Sequence, residues 1–175
     1  MITEQVTTLN PHVNKFINKC KIKGFKNNES LAAMKWHWCI DLGGTWFATF
    51  KDDEIISMSG IHPFKDGYRS LFRGAQLEPR PVQGLNKYQF QSWGMYAELP
   101  LQIEFAKKAP IYITTNIYND ASGKMNRIHN AFKILNKNKI VEYCGDEEVF
   151  YTFQSIWKLN VDCYLEVRRK HADVD

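Results

Sequence analysis

Ile111-Tyr112-Ile113-Thr114-Thr115-Asn116-Ile117-Tyr118-Asn119-Asp120-Ala121-Ser122-Gly123 is the stretch on which the fold turns. Ile111–Ile117 is a compact run rich in strand formers, and turn residues bound it. Ser122 stands where a helix cap belongs, and Met125, Ile128, His129, Phe132 and Leu135 follow along one helical side. The helix is basic, through Lys124, Arg127, Lys133, Lys137 and Lys139. A strand that turns directly into an amphipathic helix is half of a β-α-β unit, which places the chain in the α/β class.

Reading outward from that stretch completes the order of elements. Lys139–Tyr143 and Phe150–Leu159 predict two further strands, the second alternating around Tyr151, Phe153, Ser155 and Trp157. Upstream, Pro100 opens a helix through Lys107 and Pro110 stops it. Glu78–Asn86 holds Pro79, Pro81 and Gly84 and must be a loop. Tyr68–Leu77 predicts a strand, as do Thr45–Phe50 and Glu54–His62, which form a hairpin around a Lys-Asp-Asp turn. Asn10-Pro11 caps a helix over His12–Lys23, where Val13, Phe16, Ile17 and Cys20 make the buried stripe. A second short helix follows the Asn27–Ser30 cap and breaks at Gly43-Gly44. The expected architecture is α/β (α+β): a mixed, mostly antiparallel central sheet flanked by helices. It forms one domain, with a core over about residues 10–160 and a short basic tail at 161–175.

Composition narrows the class. The chain has 175 residues, enough for one well-buried core. Its 11 Phe, 8 Tyr and 5 Trp exclude a disordered polymer. No apolar run approaches bilayer length, and the start shows neither a basic n-region nor an apolar h-region, so a soluble cytoplasmic protein without membrane partners is expected. Cys20, Cys39, Cys144 and Cys163 are scattered, which fits reduced thiols and gives zinc no clustered ligands. A net charge of +4 tolerates nucleic acid or a phosphate-bearing ligand without requiring either.

The succession of elements resembles the GNAT superfamily of N-acetyltransferases over about Asn10–Asn160. The resemblance is carried by Phe47–Ile61, by Phe72-Arg73-Gly74-Ala75-Gln76-Leu77-Glu78-Pro79-Arg80, by Ile111–Asp120, and by Ala131–Lys137. The segments are also similar to small GNAT-like proteins of large tailed bacteriophages, for which the location would be the host cytoplasm. The resemblance implies that acetyl-CoA, or another acyl-CoA, lies between two splayed strands. It implies a pyrophosphate held by backbone amides of a loop whose family pattern is Gln/Arg-x-x-Gly-x-Gly/Ala. The corresponding stretch is Arg80-Pro81-Val82-Gln83-Gly84-Leu85-Asn86, with one glycine and a proline that removes one amide donor. Leu77, Arg80, Gln83, Gly84, Asn116, Asn119 and Ser122 are the implied cofactor-binding positions.

Glu78 occupies the place of a carboxylate that deprotonates the amine, and His62 offers an imidazole at a strand end; both are candidate bases, with Glu98 and Glu104 behind them. Arg69 and Arg73, four apart on one strand, share a face and suit an anionic substrate. Trp93 and Tyr96, in the aromatic stretch Tyr88–Tyr96, are candidate substrate contacts by stacking. Many family members carry a tyrosine acid on the helix after the Asn turn, where this chain has Leu135. For each of these residues a packing or capping role is the alternative.

Three functions remain open on this reading. The first is an N-acyltransferase moving an acyl group from acyl-CoA to a small-molecule or macromolecular amine. The second is a phage DNA-modifying enzyme of the Mom type, acting on adenine. The third is a GNAT-shaped binding module without catalysis.

Overall fold

The computed structural model describes residues 1–22, 33–71, 76–81, 92–119, 124–125 and 127–172. The chain divides into two compact units, Met1–Ala109 and Pro110–Asp175.

In the first unit, β1 (Ile2–Val6), β2 (Thr45–Lys51), β3 (Glu54–Phe64) and β4 (Gly67–Leu71) pair antiparallel in sequence order. α1 (Pro11–Ile22) begins as expected, with Asn10 Oδ1 accepting the Val13 amide at 3.0 Å and Pro11 as the first helical residue. α2 (Ala33–Asp41) ends in a sharp turn at Gly43, φ +85°. A Cβ on Gly44 would stand 2.3 Å from the Ile61 carbonyl and 2.7 Å from the Cys39 carbonyl, so only glycine lets α2 turn this tightly into β2.

Residues paired across antiparallel strands share a face, and the two faces of this sheet differ in chemistry. One face carries Val6, Trp46, Ala48 and Met58, covered by Val13, Phe16, Ile17 and Cys20 of α1 and Trp36 and Cys39 of α2. Trp36 and Trp46 stack with ring centres 5.6 Å apart. The other face carries Thr45, Thr49, Ser57, Ser59 and Ser70, every one of them buried. It is covered by a five-residue π-helical turn, Gly94–Glu98, running into α3 (Leu99–Ala106). Phe105 of α3 meets Phe47 and Tyr68 edge-on there.

In the second unit, β5 (Ile111–Asn116), β9 (Thr152–Leu159) and β8 (Val141–Val149) form an antiparallel sheet with β9 central. The short pair β6 (Tyr118–Asn119) and β7 (Lys124–Met125) precedes α4 (Arg127–Lys137). Phe132 and Leu135 of α4 are buried, and Phe132 lies 5.9 Å from the Trp157 ring. α5 (Val161–Ala172) closes the chain, capped by Asn160 Oδ1 on the Cys163 amide and anchored by fully buried Tyr164.

The α/β class with mostly antiparallel strands flanked by helices is what the structure shows. Several details differ from the sequence reading. β1 was not expected; its residues alternate little, and pairing with β2 alone makes them a strand. The helix expected at Pro100 already starts with the turn at Gly94. Residues 161–172, in the expected basic tail, form a helix. Phe150 and Tyr151 are not strand residues but the two left-handed positions of the β8–β9 turn, φ 47° and 68°. The expected cap Asn27–Ser30 and loop residues 82–86 lie outside the described residues. No helix among the described residues is long and apolar enough to cross a membrane.

Candidate functional site

In the first unit, the segment after β4 is tied to the start of the π-helical turn. The Trp93 amide donates to Gln76 Oε1 at 3.1 Å and the Trp93 indole N–H donates to the Glu78 carbonyl at 3.0 Å. The Leu77 amide donates to the Ile56 carbonyl at 2.7 Å, which fastens the same segment to β3. Arg80 is buried, its guanidinium 3.4 Å from the centre of the Tyr96 ring, a cation–π contact. Five of the expected site residues, Leu77, Glu78, Arg80, Trp93 and Tyr96, are thereby gathered. Trp93 is itself buried, as the packing alternative would have it.

Glu78 presents its carboxylate at the surface, 3.0 Å from Lys51 Nζ with both side chains about half exposed. The contact raises the Lys51 pKa, first through the hydrogen bond itself and then through the charge of Glu78.

His62 lies elsewhere in its chemistry. It has 0% exposure, so no substrate amine can reach it in this conformation. Nδ1 is 2.8 Å from the Pro63 carbonyl, which requires a proton on Nδ1 and leaves Nε2 to face Arg69 Nη1 at 3.4 Å. Burial pushes its pKa down to about 4; the Arg69 guanidinium adds to this and the Pro63 carbonyl opposes it. The imidazole is neutral at ordinary pH, and one of its neighbours is the Arg69 expected to hold an anion. Arg73, the other half of that pair, lies outside the described residues, as do Gln83, Gly84 and Ser122.

Glu98, which the sequence ranked behind Glu78 and His62, is a carboxyl of this unit whose pKa burial raises. It has 0% exposure and sits against the hydroxyl face of the sheet. Thr49 Oγ1 donates to Glu98 Oε1 at 3.0 Å, while Oε2 makes no hydrogen bond. Burial raises its pKa to about 7 against the opposing pull of the Ser59, Ser57 and Thr49 hydroxyls. Gln102, one turn on, donates to Ser59 Oγ at 2.8 Å and accepts from Ser70 Oγ at 2.5 Å. Alternating Thr and Ser usually mark a solvent-facing strand edge, so only the helix laid over them reveals a buried network.

In the second unit, Asn116 ends β5 with Oδ1 buried and without a hydrogen-bond partner. Beside it the Trp157 indole N–H donates to Thr115 Oγ1 at 2.8 Å, and Thr115 Oγ1 lies 3.0 Å from His129 Nδ1 of α4. His129 is held below its usual pKa by burial and then by Lys133, with Asp146 pulling the other way. Ser155 Oγ donates to Asp146 Oδ1 at 2.6 Å, and Asp146 also raises the Tyr143 pKa through a hydrogen bond to its phenol. Leu135, where the family's tyrosine acid would fall, is a buried core residue. Asn119 pairs with Lys124 through the backbone of β6 and β7. Among the described residues no three His, Cys, Asp or Glu side chains are grouped as metal ligands.

No family model and no curated protein matches this chain. Solved structures do. The aminoglycoside 6'-N-acetyltransferase from Enterococcus faecium superposes over 90% of this chain and 95% of its own, with a TM-score of 0.58 at 13% identity. A putative acetyltransferase of the GNAT family from Desulfovibrio desulfuricans matches 91% and 99% of the two chains, TM-score 0.55 and 10% identity. A GNAT family acetyltransferase from Elizabethkingia anophelis, solved with acetyl-CoA bound, matches 90% and 96%, TM-score 0.53 and 11% identity. At such identities the likeness is one of fold: the chain has the fold of GNAT acetyltransferases.

Proposed function

We propose that this protein is an N-acyltransferase that moves an acyl group from acyl-CoA to an amine. The support that weighs most is the buried, unpartnered Oδ1 of Asn116 on a chain with this fold. An orphaned acceptor carries a desolvation penalty of about 1–3 kcal/mol, which a ligand donor would offset. The pantetheine arm of coenzyme A carries amide N–H groups of that kind. A neighbour of the same fold, solved with acetyl-CoA bound, agrees with this choice of cofactor.

When bound, the cofactor would supply a thioester, an acyl group already activated toward nitrogen nucleophiles. The rest falls to the chain. Asn116 would hold an amide of the pantetheine arm, with Asn119 and Ser122 beside it in sequence. In the first unit, Leu77, Arg80, Gln83 and Gly84 are the positions that the resemblance assigns to coenzyme A binding. Glu78, exposed and oriented by Lys51, would take the proton of the attacking amine directly or through a water. Its position is kept by the Trp93 indole on its backbone carbonyl. His62, sealed and neutral, is the weaker base on this geometry. Arg69, Arg73 and Tyr96 stand as the proposed acceptor contacts, while buried Trp93 holds the segment beside them. The acceptor itself is an amine of either small-molecule or macromolecular origin.

Calorimetric titration of acetyl-CoA and of longer acyl-CoA analogues tests the reading. Saturable binding that weakens in Asn116→Ala is expected. No binding of any acyl-CoA to the wild-type chain would end it.

A further inference from the structure

Glu98 is a buried carboxyl in the first unit that the acyl-transfer reading leaves without a task. Its surroundings are built of neutral hydroxyls and amides. From β2 it meets Thr49; from β3, Ser57 and Ser59; from its own helix, Gln102 acts through Ser59. Thr3 of β1 lies 3.2 Å from Thr49 Oγ1 and continues the hydroxyl chain to the edge of the sheet.

The ionisable groups of these elements are directed elsewhere. Lys51 of β2 is paired with Glu78, and Glu54 of β3 with Lys15 and Lys19. Glu4 of β1 pairs with Ala48, on the opposite face, and His62 of β3 bonds Pro63 and Arg69. Glu104 of α3 is exposed. Among the described residues the groups that act on Glu98 are hydroxyls and not cations, so an ionised carboxylate there would lack a compensating charge.

The turn that carries Glu98 departs from α-helical geometry. The Leu99 amide bonds the Gly94 carbonyl, five residues back, so the turn Gly94–Glu98 holds one residue more than an α-helical turn. Moving that extra residue along the helix rotates the side chains it passes by about 100°. Such a shift carries an inward carboxyl toward water.

We propose that Glu98 is a proton-controlled latch: as a neutral acid it seals the Gly94–Ala106 helix onto the hydroxyl face of β1–β4, and on losing its proton it releases the π-helical turn. The turn carries Tyr96, which contacts Arg80, and follows Trp93, which holds the Glu78 carbonyl. Release therefore loosens the segment Gln76–Arg80 within the same unit. The latch is a property of the fold and does not depend on the acyl-transfer reading.

Hydrogen–deuterium exchange of the full chain tests it, read on peptides spanning residues 93–106 and corrected for intrinsic exchange. In the wild type, protection is expected to fall about tenfold or more between about pH 5.5 and about pH 8.5. In Glu98→Gln, which keeps the shape and cannot ionise, protection should stay constant. Equal wild-type protection at both pH values overturns the proposal, and so does an unchanged pH dependence in Glu98→Gln. If that variant does not fold, a carbon-13 carboxyl titration of wild-type Glu98 decides. A midpoint near neutrality supports the latch, and one in the ordinary carboxylate range overturns it.

Discussion

Thr49 Oγ1 donates to Glu98 Oε1 at 3.0 Å, joining β2 to the end of the π-helical turn by a bond between two fully buried side chains. It is a favourable contact for either protonation state, yet the neutral hydroxyls of Thr49, Ser57 and Ser59 do not replace the hydration that a carboxylate loses on burial. Glu98 is therefore raised from its ordinary 4.5 to about 7. Between those values the native state holds a proton that the unfolded state has released, so this group makes stability fall as pH rises through that window.

His62 acts in the opposite sense. Its pKa drops from 6.5 to about 4, so between those values the unfolded state holds the extra proton and stability rises with pH. Each group contributes on the order of 3 kcal/mol over its full window. From about pH 4.5 to 6.5 the two slopes oppose each other and largely cancel. Wild-type stability from urea denaturation should be nearly level there as far as these groups decide it. Glu98→Gln should unmask a rise with pH, and His62→Gln a fall. If both variants keep the wild-type slope, the two burial effects are absent.

What the sequence showed of this fold was what local pattern controls. The Asn10-Pro11 cap, the apolar stripe of α1, the β2–β3 hairpin and the strand Ile111–Asn116 all follow from period and turn chemistry. β1 is different, because Ile2-Thr3-Glu4-Gln5-Val6 becomes a strand only through a partner strand that begins about forty residues away. The site divides in the same way. Asn116 stands out as the polar end of a β run, whereas Glu98 in Ala97-Glu98-Leu99-Pro100 has the appearance of a solvated helix-start glutamate. It lies against Thr49, Ser57 and Ser59, on a strand face whose alternation of hydroxyl residues is normally a sign of water.

Gly44→Ala should be strongly destabilising. The added Cβ would meet two backbone carbonyl oxygens, at 2.3 and 2.7 Å, and the His62 Cβ at 2.8 Å. None of these is a flexible side-chain end, so β3 or the end of α2 must shift. A loss of about 3 kcal/mol is expected, at the upper end of overpacking effects. Urea denaturation measures it; a change within about 0.5 kcal/mol would mean that the turn yields freely.

Asn116→Leu separates stability from binding. Leucine nearly matches the side chain in shape and removes the buried acceptor that has no partner. Thermal unfolding of the variant should be unchanged or up to about 1 kcal/mol more favourable to the folded state. Affinity for acetyl-CoA should fall about tenfold, the equivalent of one lost hydrogen bond. Lower stability with unaltered affinity would assign Asn116 to packing.

Glu78→Gln tests the proposed base. The amide keeps a contact to Lys51 through its oxygen and leaves the Trp93 indole bonded to the backbone carbonyl, so the local structure should persist. It cannot take a proton from an amine. With a panel of amine acceptors and acetyl-CoA, release of free thiol should drop about 100-fold in kcat, while KM for acetyl-CoA stays near the wild-type value. Lys51→Met should have a smaller effect on kcat, because it removes the group that orients the base and leaves the base itself. A Glu78→Gln enzyme with undiminished kcat would transfer the role to another group, and the exposed position of Glu78 would then be one of surface charge alone.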